Sequence, residues 1–419
     1  MRMGNSVIRV TDLKVAGSKL EIDLDWSKDI NKYFLTDRFY IEYEKDITNV
    51  GKSILYIPIV SNIITAAWAI GADIFVEELD ETFLNSLNKI KTVYKQWYPQ
   101  FSFSTNIDVK DIVSNQFKGD GFGLFFSGGV DSLASFIRHK AKSPDLFVVW
   151  GADIPLSEDI FWAKIKSRII SFANREGVKV DFIKTNMQQV LNQGLLARNF
   201  GLKGWWGPVA HGLMLLGLGA PLTVINRIGT IFIASTHTKD FKASWGSHPS
   251  IDNNVQWADV HILHDGYDLS RHEKIRYLTL HQDYLPYLRA CYSSRAYFNC
   301  GHCEKCLRTM TALILEGVNP ANYSFNININ EKFYLNVKNC FLKGRLRLGE
   351  DEVFMWTDIQ NHIPEELKND LHGSKEFFRW FRKFDLSKYK TNNLQRFLWI
   401  NKYRIKEEGL VKTLKRAST

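Results

Sequence analysis

The alternation of apolar and polar residues predicts two half-buried strands near the start of the chain. Within residues 20–26 every second side chain is apolar, and the same period of two recurs over residues 39–44. A helix is predicted to follow, because residues 83–97 place apolar side chains at helical spacing and Asp80 can cap its first turn. These elements predict an α+β domain over residues 1–118.

From about Gly121 the pattern changes to short apolar strands separated by amphipathic helices. The predicted strands cover residues 122–126, 146–150, 178–183 and 230–234. The predicted helices lie around residues 133–137, 158–174 and 211–218. Strands that alternate with helices favour a parallel sheet covered on both faces. We therefore predict an α/β domain with a parallel sheet over residues 119–320.

The formal charge of +9 is concentrated at the end of the sequence. Residues 375–419 contain 13 basic and 4 acidic residues, whereas the remainder holds 41 of each. We predict that residues 321–419 form a basic, aromatic, helical C-terminal region. Its interleaved Lys, Arg and aromatic residues are a candidate surface for nucleic acid, and the alternative is that the aromatic residues are the buried face of basic helices.

Cysteine usage and hydropathy indicate a protein of the cytoplasm. Four of the five cysteines are crowded together, which is unlike a disulfide framework and suits a reducing compartment. The first ten residues do not match a secretory signal. The apolar stretches 54–72 and 211–235 are interrupted by polar residues and glycine, so we expect buried helices and strands and no membrane segment.

The hexapeptide SGGVDS at residues 127–132 lies between a predicted strand and a predicted helix. Successive small residues allow backbone N–H groups to converge on an anion, and the N-terminus of the following helix adds partial positive charge. The motif is not a Walker loop, because no Gly-Lys-Ser/Thr follows. It predicts a phosphate-binding loop, and the alternative is an ordinary turn in which Asp131 or Ser132 caps the helix.

Four cysteines have the spacing of a metal site: Cys291, Cys300, Cys303 and Cys306. Four thiolates can close a tetrahedral Zn²⁺ site with no open position for water, so the predicted site is structural. An iron–sulfur cluster or a set of free buried thiols are the alternatives. The remaining cysteine, Cys340, is expected to be a small buried apolar residue.

The SGGVDS loop resembles the PP-loop of the ATP pyrophosphatase superfamily. Together with the run ACYSSRAYFNCGHCEKCLRT, it makes residues 121–317 similar to the 7-cyano-7-deazaguanine synthase family. The resemblance implies an adenine nucleotide alpha hydrolase-like fold that uses ATP and Mg²⁺. The residues implied to contact phosphates are Ser127, Gly128, Gly129 and Ser132. Asp131 would help to hold Mg²⁺ and, with Ser132, serve catalysis, and Asp153 would lie near the nucleotide.

In that family, ATP activates the carboxylate of 7-carboxy-7-deazaguanine as an acyl-adenylate, and ammonia then forms an amide that a second activation converts to a nitrile. This chain is longer than the housekeeping synthase at both ends. In size it is similar to synthase-like components of bacterial anti-phage systems, in which the acid is joined to an amine other than ammonia, and the resemblance allows that amine to be carried by a partner protein. The resemblance therefore implies a small heterocyclic carboxylate as one substrate and ammonia or an amine as the other.

Polar residues between Trp205 and Asp268 are candidates for the substrate end of the site. The side chains selected as acid–base or recognition groups are Thr236, His237, His248, Asp252, His264 and Asp265. For each of them, the alternative is a residue that is solvated or that makes only a structural hydrogen bond. Trp205 and Trp206 are candidates for stacking on a heterocycle, with core packing as the alternative.

Two other functions are compatible with these motifs. One is a tRNA-modifying PP-loop ligase whose basic C-terminal region holds RNA. A thiolation reaction is disfavoured, because only Cys340 remains once four cysteines are assigned to zinc. The other is a non-catalytic nucleotide-binding module that docks to a partner.

Overall fold

The computed structural model of the protein describes residues 6–291, 298–346, 348–367 and 370–389. Eleven strands are present in this part of the chain, and all belong to one sheet. They are β1 (Val7–Ala16), β2 (Lys19–Trp26), β3 (Arg38–Glu42), β4 (Asp73–Asp80), β5 (Ile107–Val113), β6 (Gly121–Phe125), β7 (Asp145–Trp150), β8 (Val180–Thr185), β9 (Ile228–Ala234), β10 (Gln256–Trp257) and β11 (Val260–Asp265).

The strand order is β10-β11-β9-β6-β7-β8-β3-β2-β1-β4-β5. The run from β11 to β8 is parallel throughout, and the pairs β1/β4 and β4/β5 are also parallel. The prediction of an α/β fold with a large, mostly parallel sheet is therefore confirmed. The four predicted strands after Gly121 lie within two residues of β6, β7, β8 and β9.

Fourteen α-helices are present within the described residues. They are α1 (Lys52–Leu55), α2 (Ile57–Ile70), α3 (Glu81–Trp97), α4 (Val130–His139), α5 (Asp159–Glu176), α6 (Gln193–Asn199), α7 (His211–Leu218), α8 (Ala220–Asn226), α9 (Pro249–Asp252), α10 (Arg271–Thr279), α11 (Glu304–Leu315), α12 (Glu331–Leu342), α13 (Glu350–Asn361) and α14 (Ser374–Arg382). The predicted cap of α3 is confirmed, because Asp80 Oδ1 accepts a hydrogen bond from the Phe83 amide at 2.8 Å.

The sheet continues across the predicted boundary at residues 118/119. Strands β8 and β3 pair over only two positions, Ile41↔Thr185 and Glu42↔Lys184. Asn186 extends this junction, since its Oδ1 accepts from the Tyr40 amide and its Nδ2 donates to the Arg38 carbonyl, both at 2.8 Å. The predicted N-terminal segment thus contributes β1–β5 to the sheet that contains the parallel strands.

The most apolar stretches of the chain lie in the core. Residues 206–226 are long and apolar enough to cross a membrane, but 72% of the most apolar 18-residue stretch within them is buried inside the protein. Helix α2 is likewise almost wholly buried and packs against α7. Gly217 permits this close approach, because a Cβ atom there would collide with the Ser61 hydroxyl. Both stretches that were expected to be buried are therefore core elements.

The chain divides into two compact units. The sheet unit consists of Met1–Ser127, Ser135–Ser235 and Ala243–Asp265, and it contains every described strand. The loop unit consists of Gly128–Ala134, Thr236–Lys242 and Gly266–Thr419. These boundaries differ from the predicted limits at 118/119 and 320/321, because contacts between distant segments define a unit. The three predicted segments remain a prediction about which parts fold independently.

Within the loop unit, α10 contacts α11 and α13, and α12 contacts α14. The C-terminal aromatic residues that fall in this part form a core, in which the Phe341 ring lies 5.6 Å from Phe381 and 4.8 Å from Trp356. Phe377 and Phe378 are also buried. These rings match the buried-face alternative. Residues 390–419, which carry much of the basic charge, lie outside the described residues.

Candidate functional site

The SGGVDS segment connects β6 to α4. Gly128 has a φ of 71°, a left-handed conformation that glycine adopts without steric cost. The Leu133 amide donates to the Gly129 carbonyl at 2.9 Å, which begins the hydrogen-bond ladder of α4. Ser132 is buried, and its hydroxyl contacts the same carbonyl. Gly128 and the first turn of α4 thus form a tight strand-to-helix connection.

Asp131 is held between two cations of α10. Its Oδ2 lies 3.0 Å from Arg271 Nη1, and its Oδ1 lies 3.4 Å from Lys274 Nζ. The Lys274 side chain is 2% exposed, so its charge is compensated within the protein. Burial lowers the pKa of Arg271, and Asp131 opposes that shift. Two basic side chains are therefore concentrated at the first turn of α4.

Arg271 and Lys274 were not among the site residues predicted from the sequence. They are three residues apart on α10 and so lie on the same helix face. Their position is set by a capping box, in which the Ser270 hydroxyl accepts from the Glu273 amide and Glu273 Oε2 accepts from the Ser270 amide. The sequence SRHE contains this signal, but it predicts only a helix start and not the proximity of Asp131.

His237 lies in the same unit and is buried. Burial lowers its pKa to about 4, with Asp351 acting in the opposite direction and Arg271 lowering it further. The imidazole is therefore neutral near pH 7. Its ring lies 4.7 Å from the ring of Phe241, which in turn lies 4.9 Å from Phe354 on α13.

The four cysteines of the predicted metal site are together. All four sulfurs lie within 4.8 Å of one another, and the Sγ atoms of Cys300/Cys306 and Cys291/Cys303 are each 3.8 Å apart. A tetrahedral site with Zn–S bonds of about 2.3 Å has S–S edges of about 3.8 Å. Hydrogen bonds from the other thiols lower the pKa of Cys291. The cluster can therefore hold a metal ion such as zinc.

Asn299 orients the chain that leads to Cys291. Its Oδ1 accepts from the amides of Ala290 and Cys291 at 2.8 and 3.0 Å, while its Nδ2 donates to the Leu288 carbonyl at 2.9 Å. The side chain is buried, so these bonds form in a region of low dielectric. Asn299 could not be predicted from the sequence, because a single asparagine between cysteines carries no distinctive pattern.

Other predicted site residues form a polar network inside the sheet unit. Asp252 Oδ2 accepts from the Ser247 hydroxyl at 2.6 Å and contacts His264 Nδ1 at 2.7 Å. The side chains of Asp252 and His264 are fully buried. His248 caps α9, because its Nδ1 accepts from the Ser250 amide, and burial lowers the pKa of its ring. In this arrangement Ser247, His248, Asp252 and His264 stabilise the local fold.

Asp153 follows β7, whereas Asp265 is the last residue of β11, and both have side-chain partners. Asp265 Oδ2 accepts from the Ser135 hydroxyl at 2.5 Å, and its Oδ1 lies 3.0 Å from His139 Nε2. Asp153 Oδ1 accepts from Trp206 Nε1 at 3.2 Å, so two predicted site residues are in contact.

The two adjacent tryptophans differ in their surroundings. The Trp205 side chain is 2% exposed and stacks on Phe101 in the core, with 5.6 Å between ring centroids. Trp206 is half-buried and lies edge-on to His211. The core-packing alternative therefore holds for Trp205, whereas Trp206 remains a candidate for stacking on a ligand.

A separate surface cleft of about 340 Å³ lies at the N-terminal ends of β6, β7 and β9. Lys142, Asp145, Lys179 and Asn226 are among its lining residues. Ligands of open parallel sheets bind at the carboxyl ends of the strands, so we do not include this cleft in the candidate site.

No family model, curated protein or solved structure was found to match this chain.

Proposed function

We propose that the protein is an ATP-dependent, AMP-forming carbon–nitrogen ligase of the PP-loop type, acting on the carboxylate of a deazapurine-like heterocycle. The observation that carries the proposal is the SGGVDS turn with Asp131 between Arg271 and Lys274. Small residues at a helix start, together with two cations, suit the triphosphate of ATP.

The proposed reaction has two stages. A carboxylate oxygen of the acid attacks the α-phosphorus of ATP, and the bond from that phosphorus to the bridging oxygen breaks, which releases pyrophosphate. The nitrogen of ammonia or an amine then attacks the acyl carbon, AMP leaves, and the nitrogen loses a proton. A carboxylate is a poor acylating group, and the mixed anhydride with AMP provides a good leaving group.

The protein's own residues have distinct roles in this proposal. The backbone of Gly128 and Gly129 and the Ser132 hydroxyl hold phosphate oxygens. Arg271 and Lys274 stabilise the charge that develops on the departing pyrophosphate. The carboxylate of Asp131 is a suitable oxygen ligand for Mg²⁺, provided that the ion replaces Arg271 and Lys274 as its partner. Bound Mg²⁺ supplies further positive charge at the phosphates.

The metal site has a structural role in the proposal. Four thiolates fill the tetrahedral coordination of Zn²⁺, so the ion supplies stability and not a reactive water. It joins the segment that carries Cys291 to the start of α11, where Cys306 lies. All five cysteines are free thiols, which supports the proposed location in the cytoplasm.

The test is to incubate the full chain with ATP, Mg²⁺, ammonium and 7-carboxy-7-deazaguanine, with a known synthase in parallel. We expect AMP and pyrophosphate, and we expect Asp131→Ala to abolish both without loss of the fold. AMP formed only when tRNA replaces the acid would favour the tRNA-modifying alternative. ATP binding without AMP from any acid would favour the non-catalytic module and contradict the proposal.

A further inference from the structure

The surface cleft at the N-terminal ends of β6, β7 and β9 lies within the sheet unit, and its side chains carry both signs of charge. Its volume of about 340 Å³ is near the lower end of the range of about 300–1,000 Å³ for pockets that bind small molecules. Lys142 and Lys179 are its cations, and Asp120 and Asp145 are its carboxylates. A site here is separate from the carboxyl ends of the strands, where open parallel sheets bind their substrates.

The register of the sheet leaves the carboxylate of Asp145 uncovered. Asp145 is the first residue of β7 and lies opposite Gly123 of β6, which has no side chain to cover it. On the side of β8, the Leu146 amide donates to the Lys179 carbonyl at 2.9 Å, so Lys179 lies beside Asp145 on the next strand. Asp145 is half-buried, and within the described residues its carboxylate has no hydrogen-bond or ion-pair partner.

The surroundings of Asp145 favour a positively charged partner. Burial raises the pKa of Asp145, the charge of Lys179 opposes that shift, and Asp181 raises the pKa further. Asp181 has its own partners, because its Oδ1 lies 2.8 Å from Lys45 Nζ and its Oδ2 accepts from Asn226 Nδ2 at 2.7 Å. An ammonium group in the cleft would therefore stabilise the ionised form of Asp145.

The two lysines of the cleft are available to an anion. Lys142 Nζ lies 4.8 Å from the centroid of the Phe122 ring and 5.2 Å from that of Phe232. This cation–π contact orients the ammonium group and leaves N–H groups that can donate hydrogen bonds. Neither Lys142 nor Lys179 forms an ion pair with a carboxylate in the part of the chain that the structure describes. Both can therefore pair with a negatively charged ligand group.

This combination of charges selects one class of ligand. A phosphate or a dicarboxylate would be repelled by Asp120 and Asp145, and a metal ion or a polyamine would be repelled by the two lysines. A molecule with one ammonium and one carboxylate group can pair with both kinds of side chain. Phe122 and Ile228 provide apolar surface for the rest of such a molecule.

We propose that this cleft binds a free α-amino acid with an apolar side chain, its ammonium group on Asp145 and its carboxylate on Lys142 and Lys179. The site does not depend on the proposed ligase activity, because none of its lining residues belongs to the SGGVDS turn or to the cysteine cluster. It gives the sheet unit a ligand of its own.

Calorimetric titration of the full chain tests the proposal, with L-valine, L-leucine and L-phenylalanine as probes. We expect at least one of them to bind with a Kd of about 1 mM or tighter. For L-leucine, the matched analogues are leucinamide, which lacks the carboxylate, and 4-methylpentanoate, which lacks the ammonium group. Both analogues should bind at least tenfold more weakly, because each loses a charge-assisted hydrogen bond of about 1.5–3 kcal/mol.

Two variants locate the site. Asp145→Asn should weaken binding of the amino acids at least tenfold and should not weaken binding of 4-methylpentanoate. Lys179→Gln should weaken binding of the amino acids about fivefold and leave leucinamide within twofold. The Lys179 side chain is exposed, so this variant keeps the test decisive even if Asp145→Asn does not fold. The matched controls are Asp108→Asn and Lys89→Gln, which change exposed side chains of the sheet unit outside the cleft and should have no effect.

Three results would overturn the proposal. The first is absence of binding by all three amino acids. The second is equal affinity for L-leucine and either analogue, since one charge would then be sufficient. The third is binding of inorganic phosphate that Lys179→Gln abolishes, which would identify an anion site. AMP formation is measured separately, so failure of the ligase leaves the cleft proposal standing, and loss of the cleft proposal leaves the ligase standing.

Discussion

The backbone amide of Arg289 donates a hydrogen bond to the carbonyl oxygen of Gly128 at 2.8 Å. Arg289 lies two residues before Cys291, and Gly128 is the left-handed residue of the SGGVDS turn. The Tyr287 carbonyl also lies against Gly128, 3.5 Å from where a Cβ atom would be. The segment that enters the cysteine cluster therefore braces the proposed phosphate loop, and the metal site and the loop are mechanically connected.

Removal of the metal should consequently affect both stability and anion binding. We expect Cys303→Ser to lose bound zinc, lower the free energy of unfolding by several kcal/mol and weaken pyrophosphate binding. Metal analysis, urea titration and calorimetry would measure the three effects. Cys340→Ser is the matched control, and it should retain zinc, because Cys340 is on α12 outside the cluster. Full zinc content in Cys303→Ser would contradict the assignment.

The Asp131 carboxylate forms ion pairs with Arg271 and Lys274 and so neutralises part of their positive charge. Asp131→Asn should therefore raise the affinity for pyrophosphate in EDTA by roughly fivefold, or about 1 kcal/mol, since both cations become available. The same variant should lose Mg²⁺-dependent turnover. Calorimetric titration would measure the affinity, with exposed Asp385→Asn as the control. Weaker pyrophosphate binding in Asp131→Asn would show that the two cations do not face the anion.

Arg271 and Arg276 are on the same helix but have different partners. Arg271 pairs with Asp131, whereas the half-exposed Arg276 pairs with Glu316. We expect Arg271→Ala to weaken pyrophosphate binding at least tenfold, because a charge-assisted hydrogen bond contributes about 1.5–3 kcal/mol. Arg276→Ala should leave that affinity unchanged. Equal losses in both variants would indicate a general effect of charge and not a specific contact.

The narrow junction between β8 and β3 depends on Asn186. We expect Asn186→Ala to lower the free energy of unfolding by about 1–3 kcal/mol, because the Tyr40 amide and the Arg38 carbonyl lose their partner. Urea titration followed by circular dichroism would measure the change. Asn361→Ala, at the exposed end of α13, is the control and should be neutral within about 0.5 kcal/mol.

Protonation of His362, the residue after α13, is expected to make the stability of the protein depend on pH. The hydrogen bond that the His362 ring donates to the Asp358 carboxylate raises the pKa of His362, so the folded protein holds this proton more tightly than the unfolded chain. The resulting stability is fully present below the ordinary histidine pKa of about 6.5 and is lost as pH rises through the higher folded value. Urea midpoints from pH 5.5 to 8.5 should show this decline. The His362→Gln variant should decline less over that range, and an identical pH dependence would contradict the assignment.

Much of the local structure could be predicted from the sequence. The period of two marked β2 and β3, and helical spacing marked α3 and α4, because burial of one face imposes these periods on a single element. The SGGVDS turn was also predictable, since glycine and short polar residues favour a tight strand-to-helix connection. The pairing of β3 with β8 was not, because periodicity reports which face of a strand is buried and not which strand lies beside it.

The candidate site shows the same division. Cysteine spacing by itself predicted the four-thiol cluster, because ligands two residues apart can turn onto one ion. The ion pairs of Arg271 and Lys274 with Asp131 could not be predicted, because Lys274 is 143 residues from Asp131 in the sequence. Likewise, only the packing of α13 against α10 brings Phe354 against Phe241, whose ring contacts His237. Charge partners so distant in the chain are chosen by tertiary packing, which no local pattern encodes.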